Sequence, residues 1–213
     1  MKLKTIIFFI SIFFINTIAS AQKKDAEVIL KELSEKTNSF ENIKVSFAYK
    51  MINKDAGINE TTNGTLLVSG NKYHLNIAGQ EIISDGTTIW TYLADSEEVQ
   101  VNEVSEEDGF SPNKLLSSYN EEYDAKKEKD FEKNGTVFYK LKLKPKNEES
   151  NFNYVVLIIN ADKMQLTSFI MHDFDDNVFS YEIKQFIANG DIPSSSFIFD
   201  TKKFPNVEVI DMR

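Results

Sequence analysis

The sequence predicts a single, mainly β (α+β) domain, and three observations lead to this fold class. Most of the chain alternates hydrophobic and polar side chains with the period of two that is typical of strands. Short turn signals such as Ser69-Gly70-Asn71 and Asp85-Gly86 separate the alternating runs. Only short segments have the helical period of 3.6. Because short links join antiparallel neighbours, we expect about ten or eleven antiparallel strands with two or three helices.

The first element, residues 1–21, has the pattern of a secretory signal peptide. Lys2 and Lys4 precede an apolar run at 5–18, and Ala19-Ser20-Ala21 supplies small residues for cleavage. A membrane anchor is the alternative, but the run is short for a span that needs about 20 apolar residues. We therefore expect cleavage after Ala21 and a single soluble domain at 22–213. The chain contains no cysteine, which excludes attachment through an N-terminal lipidated cysteine and any disulfide.

The charge of the chain excludes nucleic acid as a partner. The formal net charge is −9, and it becomes −11 without residues 1–21, which contain two lysines and no acidic residue. An acidic surface repels phosphate backbones and anionic lipid headgroups. We accordingly expect membrane contact only in passing or through another protein.

The mature chain begins with an amphipathic helix, predicted at residues 25–37. Its apolar side chains recur at the i, i+3, i+4, i+7 spacing, at Ala26, Ile29, Leu30 and Leu33. Strands are then predicted at 43–51, 64–69, 72–77, 81–84, 88–93, 98–104, 136–144, 152–160, 164–172, 178–187, 197–199 and 207–210. Ser111-Pro112 fits the start of a second, short helix, and the charged stretch 121–133 is typical of a solvated edge hairpin.

Several strands carry apolar side chains on both faces. In the run 152–159, Tyr154, Val156 and Ile158 share one parity while Val155, Leu157 and Ile159 share the other. A sheet with one dry face would alternate more cleanly. Either helices cover the second face or the sheet curls around an apolar cavity, and the pattern leaves both open.

Chemistry-bearing residues are sparse. The only imidazoles are His74 and His172, and the polar cluster His172-Asp173-Phe174-Asp175-Asp176 suits a hairpin turn better than a metal site. No Gly-x-Ser-x-Gly elbow is present. We predict no catalytic residue, no metal and no cofactor.

A longer series of motifs resembles a known family. It runs from Gly64-Thr65-Leu66-Leu67-Val68 through Lys72-Tyr73-His74-Leu75 and Ser84-Asp85-Gly86-Thr87-Thr88-Ile89-Trp90-Thr91-Tyr92 to Val99-Gln100-Val101. In this order the motifs are similar to those of the outer-membrane lipoprotein carrier family, the LolA-type periplasmic chaperones. The resemblance covers nearly all of the mature chain and implies an unclosed antiparallel β-barrel of about eleven strands, with helices as a lid over an apolar cavity.

The resemblance also implies a function without catalysis. Members carry acylated lipoproteins through the periplasm from an inner-membrane transporter to an outer-membrane acceptor, and we expect this chain to act as a monomer. The expected cavity wall, chosen by strand parity, is Val45, Phe47, Tyr49, Leu66, Val68, Tyr73, Leu75, Trp90 and Tyr92, and the expected lid residues are Leu30, Leu33, Leu115 and Leu116. The family arginine that holds the lid shut has no counterpart in Ser69-Gly70-Asn71.

Two other functions stay open. One is an envelope binding or sensor protein that takes another lipid or a glycolipid. The other is an extracytoplasmic hydrolase, which would need a convergent polar cluster inside the cavity.

Overall fold

In a computed structural model, residues 25–105, 123–147 and 150–213 are described, and they form one mainly β unit. Thirteen strands of this part of the chain join in a single sheet in the order β13-β6-β5-β4-β3-β2-β1-β12-β11-β10-β9-β7, with β8 also paired to β9. The two ends of that order are not paired with each other, so the sheet is unclosed, as predicted. The predicted signal peptide and second helix, with Leu115 and Leu116, lie outside the described residues.

Most elements lie within about two residues of their predicted bounds, but β2 begins at Ile58, six residues before the predicted start at 64. The helix is α1 (Ala26–Asn38). The strands are β1 (Ile43–Asn53), β2 (Ile58–Ser69), β3 (Lys72–Ile77), β4 (Gln80–Ser84), β5 (Thr88–Leu93), β6 (Glu98–Glu103), β7 (Tyr123–Lys127), β8 (Phe131–Lys133), β9 (Thr136–Pro145), β10 (Phe152–Asn160), β11 (Gln165–Asp173), β12 (Val178–Ala188) and β13 (Glu208–Asp211). Two short 3₁₀ helices lie at Ser194–Phe197 and Thr201–Lys203.

The predicted first helix is confirmed, and its sequence explains its start and its buried side. The carboxylate of Asp25 accepts a hydrogen bond from Ala26 N at 2.7 Å, which caps the first turn. The apolar positions Ala26, Ile29, Leu30 and Leu33 are buried, whereas Val28, off that stripe, is exposed. We call the sheet face on which α1 lies the helix face, and the other the outer face.

Strand β1 lies in the middle of the sheet because it pairs with strands that are near and far in sequence. It forms a long hairpin with β2, in which Val45 faces Leu66, and it also pairs with β12, in which Tyr49 faces Tyr181. A register shift after Ser46 places Phe47 opposite Ile183. Residues directly opposite each other lie on the same face, so these pairs extend the helix face across both neighbours.

Apolar side chains are buried on both faces of the sheet. On the helix face, Val155, Leu157 and Ile159 of β10 are buried in one large cluster with α1. On the outer face, a smaller cluster contains Ile83 and Val99 beneath Phe199 of the C-terminal segment, residues 193–211. The C-terminal segment therefore covers the second face over β4 to β6.

Four details of the strands and their pairing also differ from the sequence prediction. The charged stretch 121–133 is not a hairpin of two strands paired with each other, since β7 and β8 both pair with β9. The strand predicted at 197–199 is wrong, because Phe197 ends a 3₁₀ helix. Strand β13 pairs parallel to β6, which the long link from β12 permits. Strands β7 and β8 account for the count of thirteen instead of about eleven.

Candidate functional site

The candidate site is the apolar helix face of the sheet, and most of the predicted cavity residues meet there. Nine of the thirteen predicted site residues pack in or against the same cluster, namely Leu30, Leu33, Val45, Phe47, Tyr49, Leu66, Val68, Tyr73 and Leu75. Leu30 and Leu33 are each 1% exposed, so α1 lies closed over the sheet. Their role as lid residues stays a prediction.

Beyond the part that α1 buries, the helix face is apolar but only half-buried. We define the apolar band by these side chains: Tyr49, Leu75, Ile77, Ile82, Phe179, Tyr181 and Ile183. They belong to β1, β3, β4 and β12, and pairs such as Leu75 with Ile82 lie directly opposite each other. The apolar band is thus an accessible hydrophobic surface that continues the core.

Tyrosines in the apolar band behave as apolar groups at physiological pH. The ring of Tyr181 lies 5.1 Å from that of Tyr49 and 5.6 Å from that of Phe47, measured between centroids. Burial, reinforced by Tyr49, raises the pKa of Tyr181 to about 12. Burial and the nearby Glu60 carboxylate raise the pKa of Tyr49. Both phenols therefore stay neutral.

A glycine on β2 makes room for a ring of this face. Gly64 lies opposite Phe47, and a Cβ atom placed there would stand 2.6 Å from Phe47 Cε2 and 2.8 Å from Asn76 O. Such distances are far inside van der Waals contact. The absence of a side chain at Gly64 leaves this space to the Phe47 ring, which is buried in the cluster.

The prediction that Trp90 and Tyr92 share this face is wrong. Cross-strand pairs place Trp90 opposite Ile83 and Val101, on the outer face. Tyr92 lies there too, with its ring centroid 4.5 Å from that of Phe204. The helix-face positions of β5 are instead Ile89, Thr91 and Leu93, because Ser84 pairs with Ile89 across the turn.

The turn before Trp90 is built by the predicted Asp85-Gly86 pair. Asp85 Oδ1 accepts hydrogen bonds from Thr87 N at 2.9 Å and Thr88 N at 2.8 Å, and Gly86 has a φ of +97°. Burial alone would raise the pKa of Asp85, but these bonds outweigh it and lower that pKa. The motif therefore serves to reverse the chain.

Both imidazoles of the sequence lie on the outer face, away from the apolar band. His74 pairs with Ile83, and its Nδ1 donates to Ser196 O at 3.0 Å. His172 stacks on Tyr154 at 4.2 Å, and burial and Lys142 lower its pKa.

The acidic cluster after His172 is a hairpin turn, as its residue types indicated. Asp173 Oδ1 accepts hydrogen bonds from Asp175 N and Asn177 N at 2.9 and 2.8 Å. Across residues 25–105, 123–147 and 150–213, no group of three or more acidic or histidine side chains could hold a metal ion. Over the same residues, no helix combines the length and hydrophobicity needed to cross a membrane.

The sequence reasoning missed half of the helix face. No predicted site residue belongs to strands β9 to β12. Yet Leu141, Leu157 and Phe169 of these strands lie in the buried cluster, and Phe179 and Tyr181 lie in the apolar band. The double apolarity of these strands was the available signal. The sequence did not indicate that β1 pairs with β12, and this pairing joins strands β2 to β6 to strands β9 to β11 in one sheet.

Comparison with known proteins places these observations in a family context. The family model described as "Outer membrane lipoprotein carrier protein LolA" matches residues 38–200. A protein of Methylobacillus flagellatus named outer-membrane lipoprotein carrier protein is 30% identical over 128 residues, 56% of this chain and 57% of the relative. One of the same name from Methylococcus capsulatus is 34% identical over 87 residues, 40% of each chain.

A solved structure shares the fold without close sequence similarity. The crystal structure of an uncharacterized conserved protein from Thermus thermophilus superposes with a TM-score of 0.57 at 9% identity, and the match covers 86% of this chain and 96% of the other. The chain spans about half the length of the curated relatives that it matches.

Proposed function

Because this chain belongs to the outer membrane lipoprotein carrier family, we propose that it is a periplasmic, non-catalytic carrier of acylated lipoproteins. In this proposal it receives a lipoprotein from an inner-membrane transporter, covers the acyl chains with the helix face, and delivers the lipoprotein to an outer-membrane acceptor. It works as a monomer, and residues 1–21 direct its secretion.

The energetics of the cargo require a carrier of this kind. Each methylene exposed to water costs about 0.8 kcal/mol. Full exposure of three acyl chains, each with about fifteen methylenes, therefore costs on the order of 36 kcal/mol. A protein that binds them needs an apolar surface of matching length and no reactive group. The apolar band beside the core is the single observation that supports this role best.

Release requires that the acyl chains bind less tightly than this full value. If α1 moves to admit the chains, Leu30 and Leu33 lose their packing against the sheet, where each is now 1% exposed. That loss offsets part of the gain from burying the acyl chains. The packing of α1 thereby sets the affinity.

The latch of the family is absent from this chain. Its only arginine is Arg213, whose guanidinium pairs with the exposed Asp211 carboxylate at 2.6 Å, near the C-terminus. We propose that apolar packing beneath α1 replaces the arginine latch. The apolar stripe of α1, from Ala26 to Leu33, supports this assignment.

The proposal is tested with a charge placed on the apolar band and a matched charge on the outer face. Leu75→Glu puts a carboxylate among half-buried apolar side chains, whereas Ile187→Glu puts one at a strand residue that is already 40% exposed on the outer face. We expect Leu75→Glu to weaken binding of a fluorescent fatty-acyl probe about tenfold or more, because acyl chains would contact an unpaired charge. Ile187→Glu should bind like the wild type.

Two readouts distinguish the cargo. Inner-membrane vesicles that contain the transporter should release lipoprotein into solution when the wild-type protein is added, and less when Leu75→Glu is added. Equal probe binding by both folded variants would refute the helix-face site. Probe binding without lipoprotein release, with another lipid identified by mass spectrometry of the purified protein, would instead establish the envelope lipid-binding function.

A further inference from the structure

A second surface, on the outer face at the β7 to β9 end of the sheet, combines lysines with exposed aromatic rings. Alternate residues of a strand share a face, so Phe138, Lys140, Lys142 and Lys144 of β9 all project from the outer face. Lys126 of β7 lies opposite Lys142 and extends the row. We call these residues, together with Phe131, the lysine–aromatic patch.

Phe131 makes this end of the sheet amphiphilic. It pairs with Phe138 across β8 and β9, and the two rings stack with centroids 5.3 Å apart and an interplanar angle of 14°. Phe131 is nevertheless 40% exposed. Lys133 lies two residues after Phe131 on the same face of β8, so aromatic and cationic groups lie together at the tip.

Positive charge exceeds negative charge on this patch, although the chain as a whole is acidic. The described carboxylates beside the lysines are Asp124, opposite Lys144, and Glu128, which pairs with Lys140 at 2.7 Å. Four lysines thus face two carboxylates, whereas the whole chain has a net charge of −9. The remaining acidic surface is repelled by an anionic layer, which orients the lysine–aromatic patch toward it.

Edge lysines alone have a structural explanation, since they prevent edge-to-edge pairing of sheets. That explanation does not account for the exposed ring of Phe131, which would promote such pairing. Aromatic rings flanked by lysines are typical of groups that sit at a membrane interface, with rings among the headgroups and ammonium groups at the phosphates.

We propose that the lysine–aromatic patch is a docking surface for an anionic phospholipid bilayer. Phe131 enters the interface, and Lys126, Lys142 and Lys144 approach the lipid phosphates. Docking is peripheral and reversible, because a few lysines and one ring supply little binding energy. This surface is separate from the apolar band, so it is independent of the proposed acyl-chain site.

Co-sedimentation with phosphatidylglycerol and phosphatidylethanolamine vesicles tests the proposal. We expect binding to these vesicles, none to phosphatidylcholine vesicles, and loss at high salt because exposed charges are screened. Each lysine removed in Lys126→Gln and Lys144→Gln should lower partitioning about fivefold. Phe131→Ala should lower it by a similar factor because apolar area leaves the interface.

Matched variants separate this surface from general effects. Phe174→Ala removes a phenylalanine that is 66% exposed but lies in the acidic turn after β11, and it should leave partitioning unchanged. Lys202→Gln with Lys203→Gln removes two lysines of the C-terminal segment and should also have no effect. Equal losses in the control variants, no binding by the wild type, or binding only to acidic proteins and not to vesicles would overturn the proposal.

Discussion

Gly64→Ala tests the packing of the helix face at its closest contact. The added Cβ would lie 2.6 Å from Phe47 Cε2 and 2.8 Å from the backbone oxygen of Asn76. The Phe47 ring would have to leave its edge contact with Tyr181, whose centroid is 5.6 Å away. Overpacking of this kind destabilises a protein by about 1–3 kcal/mol. Alanine also lowers the conformational entropy of the unfolded chain, which stabilises the folded protein by about 0.4–1 kcal/mol.

The net expectation is a loss of about 1–2 kcal/mol in the free energy of unfolding. Urea denaturation followed by circular dichroism measures this loss. Gly190→Ala is the matched control, because its Cβ would meet Ile187 Cγ2 at an ordinary 3.5 Å and its φ lies outside the left-handed region. It should be neutral or slightly stabilising. A Gly64→Ala protein as stable as the wild type would refute the proposed contact between Phe47 and β2.

Two further predictions concern the aromatic residues. Trp90 is the only tryptophan and packs against the outer-face cluster, so its fluorescence emission should stay unchanged when an acyl ligand binds. Phe199→Ala should shift the emission, because it removes a ring of that cluster. A shift of the emission on ligand binding would contradict the separation of the two faces. Tyr181 has a pKa of about 12 in the folded protein, against 10.0 for an unperturbed tyrosine. The neutral phenol therefore stabilises the folded protein fully below pH 10, and this contribution is lost as the pH rises toward 12. Tyr181→Phe should flatten the decline of stability over that interval, and an unchanged slope in urea titrations would argue against a buried phenol.

The helix and most strands were predictable because burial of one side of an element determines the spacing of its apolar residues along the chain. The stripe from Ala26 to Leu33 and the alternation in β1 each specify one element and its buried side. Long-range pairing carries no comparable local signal. The link from β12 to β13 returns the chain to β6 in a parallel arrangement that turn length alone does not indicate.

The error at Trp90 has the same origin. Strand parity predicts which residues share a face within one strand, but it does not carry across a turn whose register is unknown. The pairing of Ser84 with Ile89 places odd-numbered residues of β5 on the helix face. On the outer face, Phe199 and Phe204 supply the apolar environment of the Trp90 and Tyr92 rings.

Photo-crosslinking of a lipoprotein that carries a diazirine in its acyl chain tests the central proposal most directly. After transfer to the wild-type protein, mass spectrometry locates the crosslinked residues without any substitution in the chain. We expect adducts within the apolar band, at residues such as Leu75, Ile82 and Tyr181. Adducts confined to Trp90, Phe204 or other outer-face residues would contradict it.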